Sequence, residues 1–179
     1  MEPIELRARA RRAYELGRAR LGAKAAAAAL AIAAAAAALG RPLLLTAVLG
    51  AVLASLAAAL VFRGRASGRA VWTGLWAGSA AMVLPLALST LGCRMFGEAC
   101  MRFCLPVCMV GGLAMGFALA TVARGQEEGE VEFLAGGAAV AALAASLGCT
   151  LAGAGGIAAM ALGTVLAGAP VWLAARASR

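Results

Sequence analysis

Cysteine is the residue type in this chain whose spacing could support chemistry. Four of the five cysteines lie in one short stretch, GCRMFGEACMRFCLPVCM, and the fifth is Cys149. Cys100, Cys104 and Cys108 recur at every fourth residue, so a helix through them would stack their thiols on one face. Cys93 ends the preceding apolar run and could fold over that face. These five cysteines form the first candidate site.

Two kinds of reactive chemistry fit this stretch. Cysteines in a short connection between apolar segments form disulfides in an oxidising compartment, although five cysteines leave one thiol over and the connectivity is open. Thiolates and thioethers also suit Cu(I), Zn or Hg, and Met95, Met101 and Met109 lie among the cysteines. The spacing C-x6-C-x3-C-x3-C lacks the paired C-x2-C knuckles of structural zinc sites. A soft metal ion is thus the one candidate cofactor, and no cofactor is assured.

A third interpretation gives the cysteines no chemistry, because cysteine also packs between helices as a small apolar side chain. Catalysis of other kinds finds no support in the residues. The chain has no histidine, which excludes histidine metal sites and histidine acid–base catalysis. It carries no phosphate-binding loop or nucleophile motif. We therefore expect a protein that is not an enzyme, and the three interpretations of the cysteines stay open.

Composition places the cysteines in a membrane protein. Apolar residues make up 64% of the chain, charged residues 13%, and the mean hydropathy is +0.92, outside the usual range of soluble domains. A helix that crosses the hydrocarbon core needs about 20 apolar residues. Six candidate spans lie at residues 22–39, 43–62, 71–92, 105–123, 133–152 and 155–175. The predicted fold is all-α, a polytopic membrane protein with six transmembrane helices in one bundle.

The positive charges predict the orientation of this bundle. The net charge is +8, but the arginines flank apolar runs, so we expect no direct nucleic-acid partner. All of the 16 lysines and arginines except Arg41, Arg94 and Arg102 fall on one side, which the positive-inside rule makes cytoplasmic. The cysteines then lie on the outer side. We predict a multi-pass protein of a bacterial inner membrane with both termini cytoplasmic. Its parts are a basic amphipathic segment at 1–21, a membrane domain at 22–175 and a tail at 176–179.

The N-terminal segment is the second candidate site. Its apolar residues recur at helical spacing and give a modest apolar stripe beside many arginines. Such a helix could dock a cytoplasmic protein. The interpretation that we favour is that it lies on the anionic headgroups of the lipid bilayer. The candidate docking residues are Arg7, Arg9, Arg11, Arg12, Tyr14, Arg18 and Arg20.

Glycine and proline predict how the helices pack and turn. The pairs Gly74/Gly78 and Gly112/Gly116 have the GxxxG spacing that lets helix backbones approach closely. Residues 40–42, Gly-Arg-Pro, predict a tight turn between the first two spans, because proline ends one helix and can begin the next.

A set of short motifs resembles the NrsF family of polytopic membrane anti-sigma factors. The likeness covers the C-terminal half and consists of Cys-Leu-Pro at 104–106, Arg-Gly at 124–125, Ala-Gly-Gly at 135–137 and Leu-Gly-Cys at 147–149. The resemblance implies a regulator whose cytoplasmic N-terminal segment holds an extracytoplasmic-function sigma factor and releases it on stress. It further implies that residues 4–21 dock the sigma factor and that Cys104 and Cys149 form the sensing pair.

We therefore expect a thiol-bearing sensor or regulator of the inner membrane, of anti-sigma type, that responds to redox or metal stress. One alternative is a component of soft-metal (Cu, Hg or Zn) transport or binding. Another is a structural membrane subunit with no activity of its own. The expected partners are the lipid bilayer and, on the cytoplasmic side, a sigma factor; the oligomeric state is open, with a homo-oligomer as one option.

Overall fold

A computed structural model describes residues 3–87, 100–126, 129–149 and 153–177. All regular structure in these ranges is helical, so the predicted all-α class is confirmed for them. In chain order the helices are α1 (Pro3–Ala38), α2 (Leu43–Arg63), α3 (Arg65–Ala87), α4 (Cys100–Ala123), α5 (Glu130–Cys149) and α6 (Gly153–Ala177). Each predicted apolar run coincides with one of these helices over most of its described length.

Two helices begin earlier than the apolar runs that predicted them. α1 starts at Pro3 and passes without a break through residue 21, because arginine, leucine and alanine are strong helix formers and no proline interrupts them. α3 starts at Arg65, ahead of the predicted start at residue 71. Charged turns mark the edge of an apolar run, but a helix can continue beyond the hydrocarbon thickness.

Two tight turns depend on glycine. Gly64 alone separates α2 from α3 and has a φ of 71°, a backbone conformation that other residues rarely adopt. The predicted turn at residues 40–42 is confirmed. α1 ends at Ala38, Gly40 has a φ of 82°, and Pro42 directly precedes the first residue of α2. Both turns hold consecutive helices close together.

Within the described residues, four helical stretches are long and apolar enough to cross a membrane. They are Arg9–Ala38, Leu43–Arg63, Leu105–Ala123 and Glu130–Gly148. In α6 the apolar stretch Ala158–Ala174 is shorter, and α3 carries Arg65 and Arg69 in its first turns. These lengths and compositions indicate a membrane protein.

The distribution of side-chain size supports the same conclusion. Leu43, Leu44 and Trp76 are 75%, 80% and 75% exposed, whereas the buried positions are dominated by alanine. Water would penalise so much exposed apolar surface, but lipid does not. Large side chains therefore face outwards, and the small ones let the helices approach one another.

The helices pack most extensively in three pairs, α1 with α2, α3 with α5, and α4 with α6. In the first pair Gly22 faces Ala58 and Gly50 faces Ala33, so α1 and α2 run antiparallel. In the second pair a Cβ atom added to Gly78 would lie only 2.6 Å from the carbonyl oxygen of Ala141. Such an approach leaves no room for a side chain.

Both predicted GxxxG faces are confirmed as sites of close helix packing. Gly74 meets residue 137 and Gly78 meets residue 141, so α3 and α5 run parallel. Gly112 and Gly116 meet the backbones of Met160 and Thr164 in the same way, so α4 and α6 are also parallel. These two pairs tie the second half of the bundle together through glycine contacts.

Helices that follow one another run in opposite directions. Ala81 near the end of α3 contacts Gly111 of α4, whereas Ala70 near the start of α3 clusters with Ala123 at the end of α4. One end of the bundle therefore gathers Arg18, the α2–α3 turn, the end of α4, the start of α5 and the end of α6; we name it the arginine end. The other end gathers the α1–α2 turn, the start of α4 and the end of α5; we name it the thiol end.

Candidate functional site

The thiol end brings cysteine-bearing helix termini together. α4 begins at Cys100 and continues through Cys104 and Cys108 with Pro106 inside it, which confirms the predicted helix through these three cysteines. Cys149 is the last residue of α5, which runs antiparallel to α4. The start of α4 and the end of α5 therefore lie at the same end of the bundle.

Several candidate residues lack described side chains or positions. Cys93 and Met95 lie outside the described residues. The side chains of Cys100, Met101, Cys104 and Cys149 are likewise outside the described set, and the structure gives only their positions along α4 and α5.

Cys108 is the cysteine whose side chain the structure describes, and it is fully buried. It belongs to an apolar cluster at the junction of α3, α4, α5 and α6, with Ala81, Met115, Ala145 and Met160 among its members. This environment matches cysteine acting as a small apolar side chain. Burial also separates this thiol from aqueous oxidants and metals.

Met109 is half-buried and packs against the same apolar cluster. Its backbone carbonyl oxygen faces Gly163 of α6, where the two helices pack closely. Among the described side chains, which leave out four of the five cysteines, no three cysteine or glutamate residues gather into a metal-binding group. In the described part of the chain, Met109 thus packs as an apolar side chain between helices, and its role as a metal ligand stays a prediction.

At the arginine end, most of the predicted docking residues are exposed along the first part of α1. Arg11 forms an ion pair with Glu15 at 3.0 Å, one helical turn away, which supports the exposed helix locally. The exposed members of the set are Arg7, Arg9, Arg11, Arg12, Tyr14 and Arg20. They present a basic surface to whatever lies beside this end of the bundle.

Arg18 differs from the other arginines of the segment. It is half-buried, and its guanidinium carbon lies 5.2 Å from the ring centre of Tyr14 and 5.8 Å from that of Phe62. These distances are within the range of cation–π attraction. The guanidinium also packs against Gly64, where any side chain would displace it. Arg18 thus fastens the basic part of α1 to the α2–α3 turn.

A further contact closes the arginine end on the side of α4 and α6. The guanidinium of Arg124 donates a hydrogen bond of 3.3 Å to the backbone carbonyl of Val171. Trp172 follows directly and is half-buried. The contact joins the helix pair of α4 and α6 at the level where their apolar stretches end.

Sequence patterns missed two features of this architecture. Arg41, predicted in an outer connection, is only 5% exposed in the α1–α2 turn, and a buried cation is tolerated only with compensating partners. The sequence Gly-Arg-Pro carries no signal for that burial. The contacts of Arg18 with Phe62 and Gly64 were also missed, although a glycine between Arg63 and Arg65 at a span end is a recognisable turn signal.

Comparison with known proteins gives no relative: no protein-family model matches the chain, and no curated protein or solved structure matches it.

Proposed function

We propose that this protein is a six-span membrane sensor that couples the state of its thiols to a cytoplasmic partner. The observation that carries the proposal is the division of the bundle into a thiol end and an arginine end. The cysteine-bearing start of α4 and end of α5 lie at the first. The exposed basic segment of α1 lies at the second. The arginine end faces the cytoplasm, in accordance with the positive-inside rule.

The sensing step is oxidation of two thiols to a disulfide, for which Cys104 and Cys149 are the first candidate pair. The step forms one sulfur–sulfur bond and passes two electrons and two protons to an oxidant, such as a quinone-linked thiol oxidase or an exchanging disulfide. Capture of a soft metal by the same thiols would be the metal-stress form of the response. Either event would draw the start of α4 and the end of α5 together.

α5 is the element that connects this step to the arginine end. It packs along α3 through Gly74 and Gly78, so it moves with α3 as one unit. Near its start, Gly136 faces Leu60 of α2 and Ala70 of α3, beside the turn that holds Arg18. A shift of α5 at the thiol end would therefore reach the anchor of the basic segment. Switching requires two packings of this unit, which the sensed event would bias.

The partner that we propose is a sigma factor, as the resemblance to the NrsF family implies. The exposed arginines of α1 would meet acidic groups of that partner. Release would follow when the anchor of α1 changes. The test is purification of the tagged full chain from membranes, before and after treatment with a thiol oxidant, with identification of bound proteins by mass spectrometry.

The expected result is that a sigma factor co-purifies from reduced membranes and is lost on oxidation. Oxidation should no longer release the sigma factor from the Cys104→Ser or Cys149→Ser variant. It should still release the sigma factor from the matched control Cys108→Ala, because the thiol of Cys108 is buried away from the oxidant. Failure of the reduced full chain to retain any sigma factor would reject the proposed partner.

A further inference from the structure

An open cavity of about 720 Å³ lies at the arginine end, between α1, the α2–α3 turn and the start of α5. Two cations line it, Arg18 from α1 and Arg63 from the end of α2. Ser67 and Tyr14 add hydroxyl groups, and Glu132 of α5 contributes one carboxylate. The cavity includes the Arg18 anchor, but thiol sensing requires no ligand in it.

The guanidinium of Arg18 lies in the wall of this cavity and is held in place by its neighbours. The rings of Tyr14 and Phe62 fix its guanidinium, and its position against Gly64 restricts the other directions. Aromatic rings attract the positive charge of a guanidinium but accept hydrogen bonds from few of its N–H groups. The remaining N–H groups are available to bind an anion. A fixed guanidinium loses less conformational entropy on binding than a mobile one.

The charges around the cavity are not neutralised by one another. In the part of the chain that the structure describes, the recorded ion pair is Arg11 with Glu15, and neither Arg18 nor Arg63 is in an ion pair with a described carboxylate. Two cations and one carboxylate give the cavity a net positive lining. A planar guanidinium matches the paired oxygen atoms of a phosphate group, as it does those of a carboxylate, so a phosphate is an anion that this lining fits.

The place of the cavity in the bundle favours a lipid as the source of that phosphate. Arg63 is the last residue of the apolar stretch of α2, and Arg18 lies before the predicted apolar run of α1 at 22–39; both positions are at headgroup level in a bilayer. The exposed large side chains nearby, Phe62 at 51% and Leu21 at 52%, would lie against acyl chains. We propose that the cavity binds the phosphate group of an anionic lipid headgroup.

The test is native mass spectrometry of the full-length protein, delipidated in detergent and titrated with phosphatidylglycerol. Phosphatidylcholine with the same acyl chains is the control for non-specific lipid. The site predicts one saturable phosphatidylglycerol that is retained at least about tenfold more tightly than phosphatidylcholine, as expected for charge-assisted hydrogen bonds. Equal retention of both lipids would overturn the proposal.

Three variants test whether these side chains form the site. Arg63→Gln and Arg18→Gln should each weaken phosphatidylglycerol binding by about tenfold, the value of a charge-assisted hydrogen bond. The matched control is Arg20→Gln, which removes the same charge from an exposed position of α1 that does not line the cavity. Equal weakening in all three variants would show general attraction to a basic surface and would contradict the site.

A fourth variant reverses the sign of the effect. Glu132→Gln removes the carboxylate of the cavity and should strengthen phosphatidylglycerol binding, which a variant that merely damages the fold would not do. Arg63→Gln keeps the test decisive if Arg18→Gln fails to fold, since Arg63 is exposed.

A competition experiment distinguishes a lipid phosphate from a free phosphate ion as the ligand of the cavity. Inorganic phosphate added to the titration should not displace the lipid, because it lacks the acyl chains that hold the headgroup in place. Displacement by millimolar phosphate, with the same dependence on Arg18 and Arg63, would show a free-anion site and overturn the lipid source. Lipid binding in this cavity depends on the placement of the protein in the membrane and not on the thiols. A negative lipid titration is therefore distinguishable from a negative thiol-oxidation experiment.

Discussion

At the scale of single residues, burial separates two arginines and one cysteine from their neighbours in sequence. Arg18 is half-buried among exposed arginines, and Arg41 is buried in a turn that resembles a solvent-facing loop. Cys108 is fully buried, although it lies in the same periodic set as Cys100 and Cys104. Periodicity identifies residues on one helix, but burial depends on which other helices pack there, and that information is not local.

The burial of Cys108 predicts a slow reaction with thiol reagents. In a variant that keeps Cys108 and replaces the other four cysteines by serine, a maleimide should label the native protein far more slowly than the protein unfolded in SDS. The measurement is the rate of mass shift with and without SDS. Rapid labelling of the native variant would contradict the packing of this thiol among α3, α4, α5 and α6.

Gly64 predicts a stability effect that depends on backbone conformation. Gly64→Ala should destabilise the protein by at least about 1 kcal/mol, because alanine is strained at a positive φ and its Cβ would displace Arg18. Gly17→Ala is the matched control, since Gly17 lies inside α1 with open space around it and should gain about 0.5–1 kcal/mol. Equal effects of the two changes in a thermal or SDS unfolding experiment would exclude this role of the turn.

At the scale of elements, apolar runs located the helices and glycine spacing located two of their contact faces. α2 begins and ends within a residue of its predicted span, because both ends are marked by proline, glycine or arginine. The joining of α1 with the basic segment into one helix was not predicted, since charge marks a membrane boundary and not a helix end. The pairing of α3 with α5 could not be predicted from the sequence either, because a GxxxG pattern does not specify which helix packs against it.

The packing of α3 against α5 predicts a steric effect with a clear control. Gly78→Val should destabilise the bundle by about 1–3 kcal/mol, because a side chain there would overlap the backbone of Ala141. Ala80→Val lies on the exposed face of the same helix and should change stability by less than about 0.5 kcal/mol. SDS unfolding of the purified protein measures both. A Gly78→Val variant as stable as Ala80→Val would reject the close contact.

At the scale of the whole molecule, the alternation of six helices places the thiols and the arginines at opposite ends. Cysteine spacing is a local pattern, so the helix through Cys100, Cys104 and Cys108 could be predicted from the sequence, whereas the roles of these side chains stay predictions. Their assembly depends on which helices meet, and that followed only from the packing of small residues over long sequence separations. The proposed sensor depends on this separation, because its input and output would lie on different faces of the bilayer.

The alternation predicts that the two turns of the bundle lie on opposite sides of the membrane. A reporter active only in the cytoplasm should be active when inserted after Gly125, between α4 and α5, and inactive when inserted after Gly40, between α1 and α2. Reporter activity and its abundance in membranes are measured together. Equal activity at both sites would contradict the six-span orientation.

The central claim is that the thiol end holds cysteines that change state in the native membrane. Mass-shift alkylation of the purified full chain, with and without reductant and with metal analysis of the same sample, tests it most directly. When the membranes are first treated with a thiol oxidant, the account predicts fewer than five free thiols before reduction, no stoichiometric metal, and a peptide that links α4 to α5. Five free thiols without metal would leave the cysteines as packing residues and contradict the sensor, whereas five free thiols with a bound soft metal would replace oxidation by metal capture.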